Sequence, residues 1–87
     1  SDNMKTTLAL SLNADKPGSL LMILSELNYA NVNLTMIQSR PTKQGLGDYL
    51  FFIDIEGTPA YPAIKTALDC LRLKLREVKV LGSYPAE

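Results

Sequence analysis

The chain has 87 residues, of which 46% are hydrophobic and 21% are charged, so it can build one small globular core but not two. Nine basic and nine acidic residues balance to a formal net charge of zero, which argues against nucleic acid and anionic lipid as partners. One cysteine and no histidine exclude an internal disulfide and remove the usual metal ligand and general base. We therefore expect no metal and no cofactor.

The sequence has no segment typical of a membrane span or an export signal. Its apolar runs are short and interrupted by charge, and no basic start precedes an apolar region. A cytoplasmic protein without membrane contact is therefore predicted. We interpret residues 1–3, ahead of Met4, as a remnant of cloning, and residues 4–87 as one domain.

In chain order, the first half of the sequence predicts a strand, a helix and a second strand. Residues 5–13 alternate with a period of two, which is typical of a strand with one buried face formed by Leu8, Leu10 and Leu12. A helix up to Asn28 should follow, with Asp15 as its cap and Pro17 in its first turn. Its predicted inward stripe is Leu20, Ile23, Leu24 and Leu27. Three asparagines over 28–33 tolerate left-handed turns and lead into a strand over 34–40, which Pro41 ends.

The second half predicts a hairpin, a helix and a last strand. Residues 42–47 are interpreted as a polar connection and residues 48–56 as a strongly apolar strand. Helical spacing from Pro62 to about Leu73 predicts the second helix, and residues 78–84 the last strand. The predicted inward residues of this helix and its end are Ile64, Ala67, Leu68, Leu71 and Leu75.

This order of elements predicts an α+β, ferredoxin-like βαββαβ fold, a four-stranded antiparallel sheet with two helices on one face. In the third strand, alternation divides the apolar residues between both faces: Tyr49, Phe51, Ile53 and Ile55 on one, Leu50 and Phe52 on the other. The second face carries no helix, so its apolar residues favour a homodimer. Scattered apolar residues on an open sheet are also ordinary.

Two short segments are candidates for a binding site. Gly18 lies between the first strand and the first helix, and a helix N-terminus offers N–H groups and partial positive charge to a carboxylate. In the alternative interpretation these residues have no binding role: Gly18 only permits the tight turn and Asp15 only caps the helix. The polar cluster Gln38-Ser39-Arg40-Pro41 interrupts an apolar strand, but it can equally be a strand end with a solvated arginine and an edge-protecting proline.

Together, these segments resemble the ACT family of amino-acid-binding regulatory domains, in particular the C-terminal domain of prephenate dehydratases. In that family a Gly-Ala-Leu-Val motif follows the first strand and a Glu-Ser-Arg-Pro motif closes the second. Here they are Gly18-Ser19-Leu20-Leu21 and Gln38-Ser39-Arg40-Pro41, so Gln38 lacks the family's charge and Ser19 and Leu21 replace alanine and valine. DKPGSL at 15–20, GLGDYLFFIDIEG at 45–57 and VKVLGSYP at 78–85 also resemble the dehydratase type, and the likeness extends from Thr6 to Pro85.

The resemblance implies a regulatory domain that binds L-phenylalanine where two ACT domains meet, in a homodimer that can pair further into a tetramer. Binding would lower the activity of a separate catalytic dehydratase domain in the same native chain, which is feedback inhibition of phenylalanine biosynthesis. In that family the catalytic domain carries a Thr-Arg-Phe motif, which is missing here, so we expect no catalytic residues in this chain.

The resemblance also implies where the ligand is held. The ligand carboxylate would meet the N–H groups of residues 18–21, and its ammonium group would meet Asn13, Asp15 or nearby carbonyls. Its ring would need an apolar pocket, for which the candidates are Leu20, Leu21, Leu34 and Ile37. Arg40 can bind the ligand carboxylate or instead pair with a carboxylate of its own dimer, such as Asp48 or Glu56, and we favour this structural and coupling role. The predicted ligand-binding residues are Asn13, Asp15, Gly18, Ser19, Leu20, Leu21, Asn33, Leu34, Gln38, Ser39, Arg40 and Pro41.

Other functions remain as alternatives. Regulatory domains of aromatic amino acid hydroxylases share the Ser-Arg-Pro cluster, but they are less similar in the last two stretches, and a freestanding amino-acid sensor is also open. An RNA-binding module of this fold would need a basic surface and exposed aromatic residues, whereas only one of Phe51 and Phe52 can face outward. A small hydrolase of related topology would need an arginine phosphate loop that we do not find.

Overall fold

The computed structural model describes residues 3–13, 18–41 and 48–86. Along these segments the elements are β1 (Met4–Asn13), α1 (Ser19–Tyr29), β2 (Leu34–Pro41), β3 (Asp48–Glu56), α2 (Pro62–Lys74) and β4 (Glu77–Pro85). The strands form one antiparallel sheet in the order β2-β3-β1-β4. The predicted α+β, ferredoxin-like βαββαβ fold is therefore confirmed, while the predicted connection at 42–47 lies outside the described residues.

One apolar core lies between the sheet and the two helices. It consists of Leu8, Leu10, Leu12, Ile23, Leu27, Ile53, Ile55, Ile64, Leu68, Leu71 and Leu75. The predicted buried face of β1 and the inward residues of α2, including Ala67, are confirmed. In the predicted α1 stripe, Ile23 and Leu27 are buried, whereas Leu24 is only partly buried and outside the core cluster. Leu20 is 38% exposed, because it sits in the first turn, where the helix begins at the edge of the core.

The two ends of α1 are formed by left-handed residues. The helix starts at Ser19, and Gly18 occupies the N-cap position with φ 84°. The predicted N-cap Asp15 and first-turn Pro17 are therefore wrong, because the glycine itself makes the turn; both residues lie outside the described residues. At the other end Asn31 has φ 59°, as predicted for this asparagine-rich segment, and the Val32 N–H donates to the Leu27 carbonyl at 2.9 Å.

The register assigns side chains to the two faces of the sheet. Paired residues share a face, so Phe52, opposite the nearly buried Ala9, lies on the outer face, away from the helices, while Phe51 packs against the core. On the outer face Thr7 donates a hydrogen bond to Asp54 Oδ1 at 2.7 Å and lies 2.8 Å from the Tyr84 hydroxyl. The predicted division of β3 between two faces, with one outward phenylalanine, is confirmed.

The two ends of the sheet differ in how tightly they are packed. We call the end marked by the row Pro41, Tyr49 and Leu12 the open end, and the end marked by the row Leu34, Ile55, Thr6 and Ser83 the closed end. At the closed end, the buried Thr6 Oγ1 donates to the Gly57 carbonyl at 2.7 Å and lies 2.8 Å from Ser83 Oγ. Gly57 has φ 95° and lies against the side chains of Tyr61 and Ile64.

The helices are joined by an ion pair between Lys74 and Glu26. The hydrogen bond to the Glu26 carboxylate, and the attraction between the two charges, raise the pKa of Lys74 above its usual value. Within the described ranges, neither helix is long and apolar enough to cross a membrane.

Candidate ligand-binding site

The turn at Gly18 exposes the N-terminus of α1. Among the described residues, a Cβ atom placed on Gly18 would meet no heavy atom within 4 Å, and no acidic side chain occupies the first helical turn. The hydrogen bond from the Met22 N–H to the Gly18 carbonyl, at 2.9 Å, is the first one along the helix backbone. The N–H groups of Leu20 and Leu21 precede it and have no acceptor within the helix, so they can meet an anion from outside.

The two sequence motifs lie at the same end of the sheet. Strands β1 and β2 both run antiparallel to β3, so both end at the open end. Tyr49 pairs with Pro41 on one side and with Leu12 on the other, and strands are spaced by about 4.8 Å, so Pro41 and Leu12 are about 10 Å apart. Asn13, which follows Leu12, leads towards the Gly18 turn. The end of β2 therefore lies two strand spacings from the end of β1, the strand that precedes the Gly18 turn.

The polar cluster on β2 is divided between the two faces of the sheet. Ser39 and Pro41 pair with Phe51 and Tyr49 and share the face that carries α1. Gln38 and Arg40 pair with Phe52 and Leu50 and lie on the outer face. A ligand at the α1 N-terminus can therefore touch Ser39 and Pro41 but not the other two side chains of the same protomer.

Arg40 is exposed on this outer face, and no salt bridge of the described side chains includes it. Of its two predicted acidic partners, Glu56 is six residues along β3 from Leu50, the residue opposite Arg40, or about 20 Å away. Within one chain Arg40 is therefore too far from Glu56 to pair with it, so this predicted pair would have to form between protomers. Asp48 begins β3 at the open end, but its side chain lies outside the described part.

Two of the predicted ligand-binding residues lie at the closed end. Leu34 is seven residues from Pro41, or about 20 Å along β2, and it packs against the core. The Asn33 carbonyl accepts a hydrogen bond from the Glu56 N–H at 2.9 Å, and its side chain is exposed. Within a single protomer, the structure does not bring these two residues together with Gly18.

Asn33 also borders a cleft of about 360 Å³ at the closed end. Its walls come from the start of β1, the α1–β2 turn, the end of β3 and the start of α2, and they include Met4, Asn31, Gly57 and Tyr61. A second, more apolar groove of about 450 Å³ runs between the helices past Tyr29, Ala63 and Cys70. Neither cavity includes the Gly18 turn or the β2 cluster.

The remaining predicted residues are accounted for as follows. Asn13 ends β1 at the open end, with a side chain that lies outside the described part, and the whole of Asp15 lies outside it. Leu21 is 68% exposed and Ser19 is the first residue of α1.

Among the described residues, no group of three acidic or cysteine side chains is placed to hold a metal ion. Tyr49, which the motifs did not single out, lies between them.

Known proteins resemble this chain in sequence and in structure. The sequence pattern of the ACT domain matches residues 6–69. Prephenate dehydratase of Amycolatopsis methanolica is 46% identical over 71 residues, which are 82% of this chain and 23% of that protein.

Among solved structures, prephenate dehydratase from Arthrobacter aurescens in complex with L-Phe is 38% identical, with a TM-score of 0.89 over 99% of this chain and 28% of that one. GqqA, described as a novel type of quorum quenching acylase, is 33% identical with a TM-score of 0.89, over 100% of this chain and 32% of that one. The chain therefore spans between 23% and 32% of the length of these proteins. Since the family pattern covers most of the described fold, and the resemblance to prephenate dehydratases extends over most of the sequence, this chain belongs to the ACT domain family and is of the prephenate dehydratase type.

Proposed function

We propose that this chain is the L-phenylalanine-sensing regulatory domain of a prephenate dehydratase. The observation that carries this proposal is the open end, where the N-terminus of α1, whose N-cap Gly18 makes no side-chain hydrogen bond, lies on the same side of the sheet as Ser39 and Pro41. A related dehydratase structure is named as a complex with L-Phe, which supports the choice of ligand.

The ligand carboxylate binds at the Gly18 turn. A helix N-terminus favours negative charge, and the absence of acidic residues from the first turn of α1 leaves this preference unopposed. None of the described residues would crowd a Cβ atom on Gly18, which favours the approach of a carboxylate to the backbone N–H groups of Leu20 and Leu21. Leu20 and Leu21, both exposed, then supply apolar contacts for the ring.

The complete site is built from two protomers. Gly18 and Asn33 flank α1 at its two ends, so a two-fold axis across the middle of the helix brings the Asn33 of one protomer beside the Gly18 turn of its partner. Such a dimer holds two equivalent sites, and it explains how Gly18 and Asn33, at opposite ends of one sheet, can serve one ligand. The exposed Asn33 side chain accepts a hydrogen bond from the ligand ammonium.

The rest of the native protein carries the activity that this domain regulates. The chain covers about a quarter of the dehydratase relatives, which leaves room for a catalytic dehydratase domain in the same chain. Phenylalanine binds one dimer arrangement more tightly than another, and the attached domain responds to that difference as feedback inhibition. The likeness to GqqA raises a second candidate, the same sensing domain attached to an acylase.

Thermal unfolding with each of the twenty amino acids at millimolar concentration tests the proposal. A ligand that binds only the folded state at 100 times its Kd adds about 2.7 kcal/mol to the free energy of unfolding, so the midpoint rises by several degrees. We expect the largest rise with L-phenylalanine and a smaller one with tyrosine or tryptophan. Analytical ultracentrifugation of the same samples should show a dimer.

If no amino acid raises the midpoint, or a monomer binds phenylalanine as tightly as the dimer does, the two-protomer site is wrong. D-Phenylalanine is the matched control ligand, because it has the same ring and charges but cannot place all three groups at once.

A further inference from the structure

Tyr49 occupies an unusual position for a residue on the core face of the sheet. Its partner in the register, Leu12, is buried in the core, so the Tyr49 side chain points to the same face. The other residues of β3 on this face are the partly buried Phe51 and the fully buried Ile53 and Ile55. Tyr49 instead is 40% exposed, so the described core does not account for its ring.

The topology places Tyr49 between the two motifs of the candidate site. Helix α1 connects β1 to β2, and β3 lies between these strands, so the helix crosses over β3. The helix begins at the open end, where Tyr49 lies in the sheet beneath it. Two further half-exposed apolar side chains, Leu20 at 38% and Ile37 at 39%, lie on this side of the molecule.

We propose that Tyr49 is a specificity-determining residue, whose ring forms the wall against which the aromatic side chain of the ligand packs. This inference rests on the proposed function and adds a residue to its site. Two aromatic rings in offset or edge-to-face contact gain more than their buried area alone provides, so a tyrosine wall favours an aromatic ligand over an aliphatic one of equal size. The role assigned here belongs to the ring and not to the hydroxyl group, so phenylalanine at this position should preserve it.

The test compares two ligands of nearly the same shape on the full 87-residue chain. We would measure Kd for L-phenylalanine and for L-cyclohexylalanine, in which a saturated ring replaces the aromatic one, by calorimetric titration. Tyr49→Leu should reduce the preference for phenylalanine over cyclohexylalanine by about two- to tenfold, the range expected for an aromatic pair. Tyr49→Phe should leave the preference within about twofold of the unsubstituted chain.

Tyr84→Leu is the matched control, because Tyr84 is also a strand tyrosine, 41% exposed, but lies on the outer face, where its hydroxyl is 2.8 Å from Thr7 Oγ1. It should leave the ratio of the two Kd values unchanged. Circular dichroism establishes that each variant is folded, and since the readout is a ratio, a general loss of stability does not move it.

An unchanged ratio in a folded Tyr49→Leu variant would overturn the proposed wall. If Tyr49→Leu fails to fold, Tyr49→Met provides the same test with a flexible aliphatic side chain. Failure of the proposed function shows itself differently: the unsubstituted chain then binds neither ligand, and the assignment of Tyr49 falls with it.

Discussion

Gly18 and Gly57 are both left-handed glycines, at opposite ends of the same sheet, and their surroundings differ. Gly57 is buried at the closed end, where a Cβ atom would lie 2.6 Å from Ile64 Cδ1 and 3.1 Å from the Tyr61 ring. Gly18 is exposed, and a Cβ atom there would meet nothing within 4 Å in the part of the chain that the structure describes. The same backbone conformation is therefore used once to close the core and once to keep a helix N-terminus open.

Because the surroundings of the two glycines differ, we expect one end of the sheet to determine stability and the other to determine ligand binding. At the closed end, the hydrogen bonds of Thr6 and the side chains around Gly57 leave little room for change, so substitutions there should act on folding. The open end exposes Gly18, Leu21 and Ser39, so substitutions there should change mainly the affinity for the ligand. Variants at matched positions test this separation.

Gly57→Ala should have the largest effect on stability. Its methyl group would meet Ile64, which is 5% exposed, and the residue would have to keep φ 95°. Left-handed strain of about 1–2 kcal/mol and overpacking of about 1–3 kcal/mol should together lower the free energy of unfolding by about 2–5 kcal/mol. Urea unfolding followed by circular dichroism measures this change.

Ile64→Val sharpens the test, because it removes the Cδ1 atom that the new methyl group would meet. In a double-mutant cycle, Gly57→Ala should cost less in the Ile64→Val background than in the original chain. Equal cost in both backgrounds would show that the backbone strain, rather than the packing around Gly57, limits this position.

Thr6→Val should have the second largest effect. The change keeps the size of the side chain but removes the hydroxyl that donates to the Gly57 carbonyl and meets Ser83. A buried polar group left without its partner costs about 1–3 kcal/mol, so the free energy of unfolding should fall by about that amount. Thr6→Ser is the control that keeps the hydroxyl; a loss as large as that of valine would contradict the role of the hydrogen bonds.

Gly18→Asn should have the smallest effect on stability and a large one on the ligand. Asparagine tolerates the left-handed region better than other residues with a side chain, so the free energy of unfolding should change by less than about 1 kcal/mol. Its side chain would fill the space that the ligand carboxylate needs, and the thermal shift with phenylalanine should disappear.

The control for this variant is Gly82→Asn, because Gly82 has no positive φ and a Cβ atom there also meets nothing within 4 Å. That variant should keep the thermal shift. If the Gly18→Asn chain responds to phenylalanine as strongly as the unsubstituted one, the ligand carboxylate does not bind at the Gly18 turn.

The elements of this fold were largely predictable because their hydrophobic periods are regular. The alternation of Leu8, Leu10 and Leu12 and the helical spacing of Ile64, Leu68 and Leu71 each identified a buried face that the structure confirms. The start of α1 was not predictable in the same way, since an aspartate, a proline and a glycine precede it and each is a signal for a helix start. Gly18 takes the N-cap position.

The candidate site was predictable as motifs, but not as an arrangement. Residues 38–41 form one cluster in the sequence, whereas the strand turns Gln38 and Arg40 to one face of the sheet and Ser39 and Pro41 to the other. Asn33 and Leu34 were grouped with Gly18, whereas they lie at the other end of the sheet. The sequence pattern predicts Tyr49 as one residue of an apolar strand, and no sequence signal marks it as half exposed.

The sequence by itself determined the class of fold and the family, because hydrophobic periodicity and short motifs are local properties of the chain. The tertiary structure alone decided which residues can meet a common ligand. Strand pairing brings Leu12, Tyr49 and Pro41 into one row although 37 residue numbers separate Leu12 from Tyr49, and it separates Gln38 from its neighbour Ser39 by the thickness of the sheet. Register and pleat are set by contacts between distant segments, so sequence order does not reveal them.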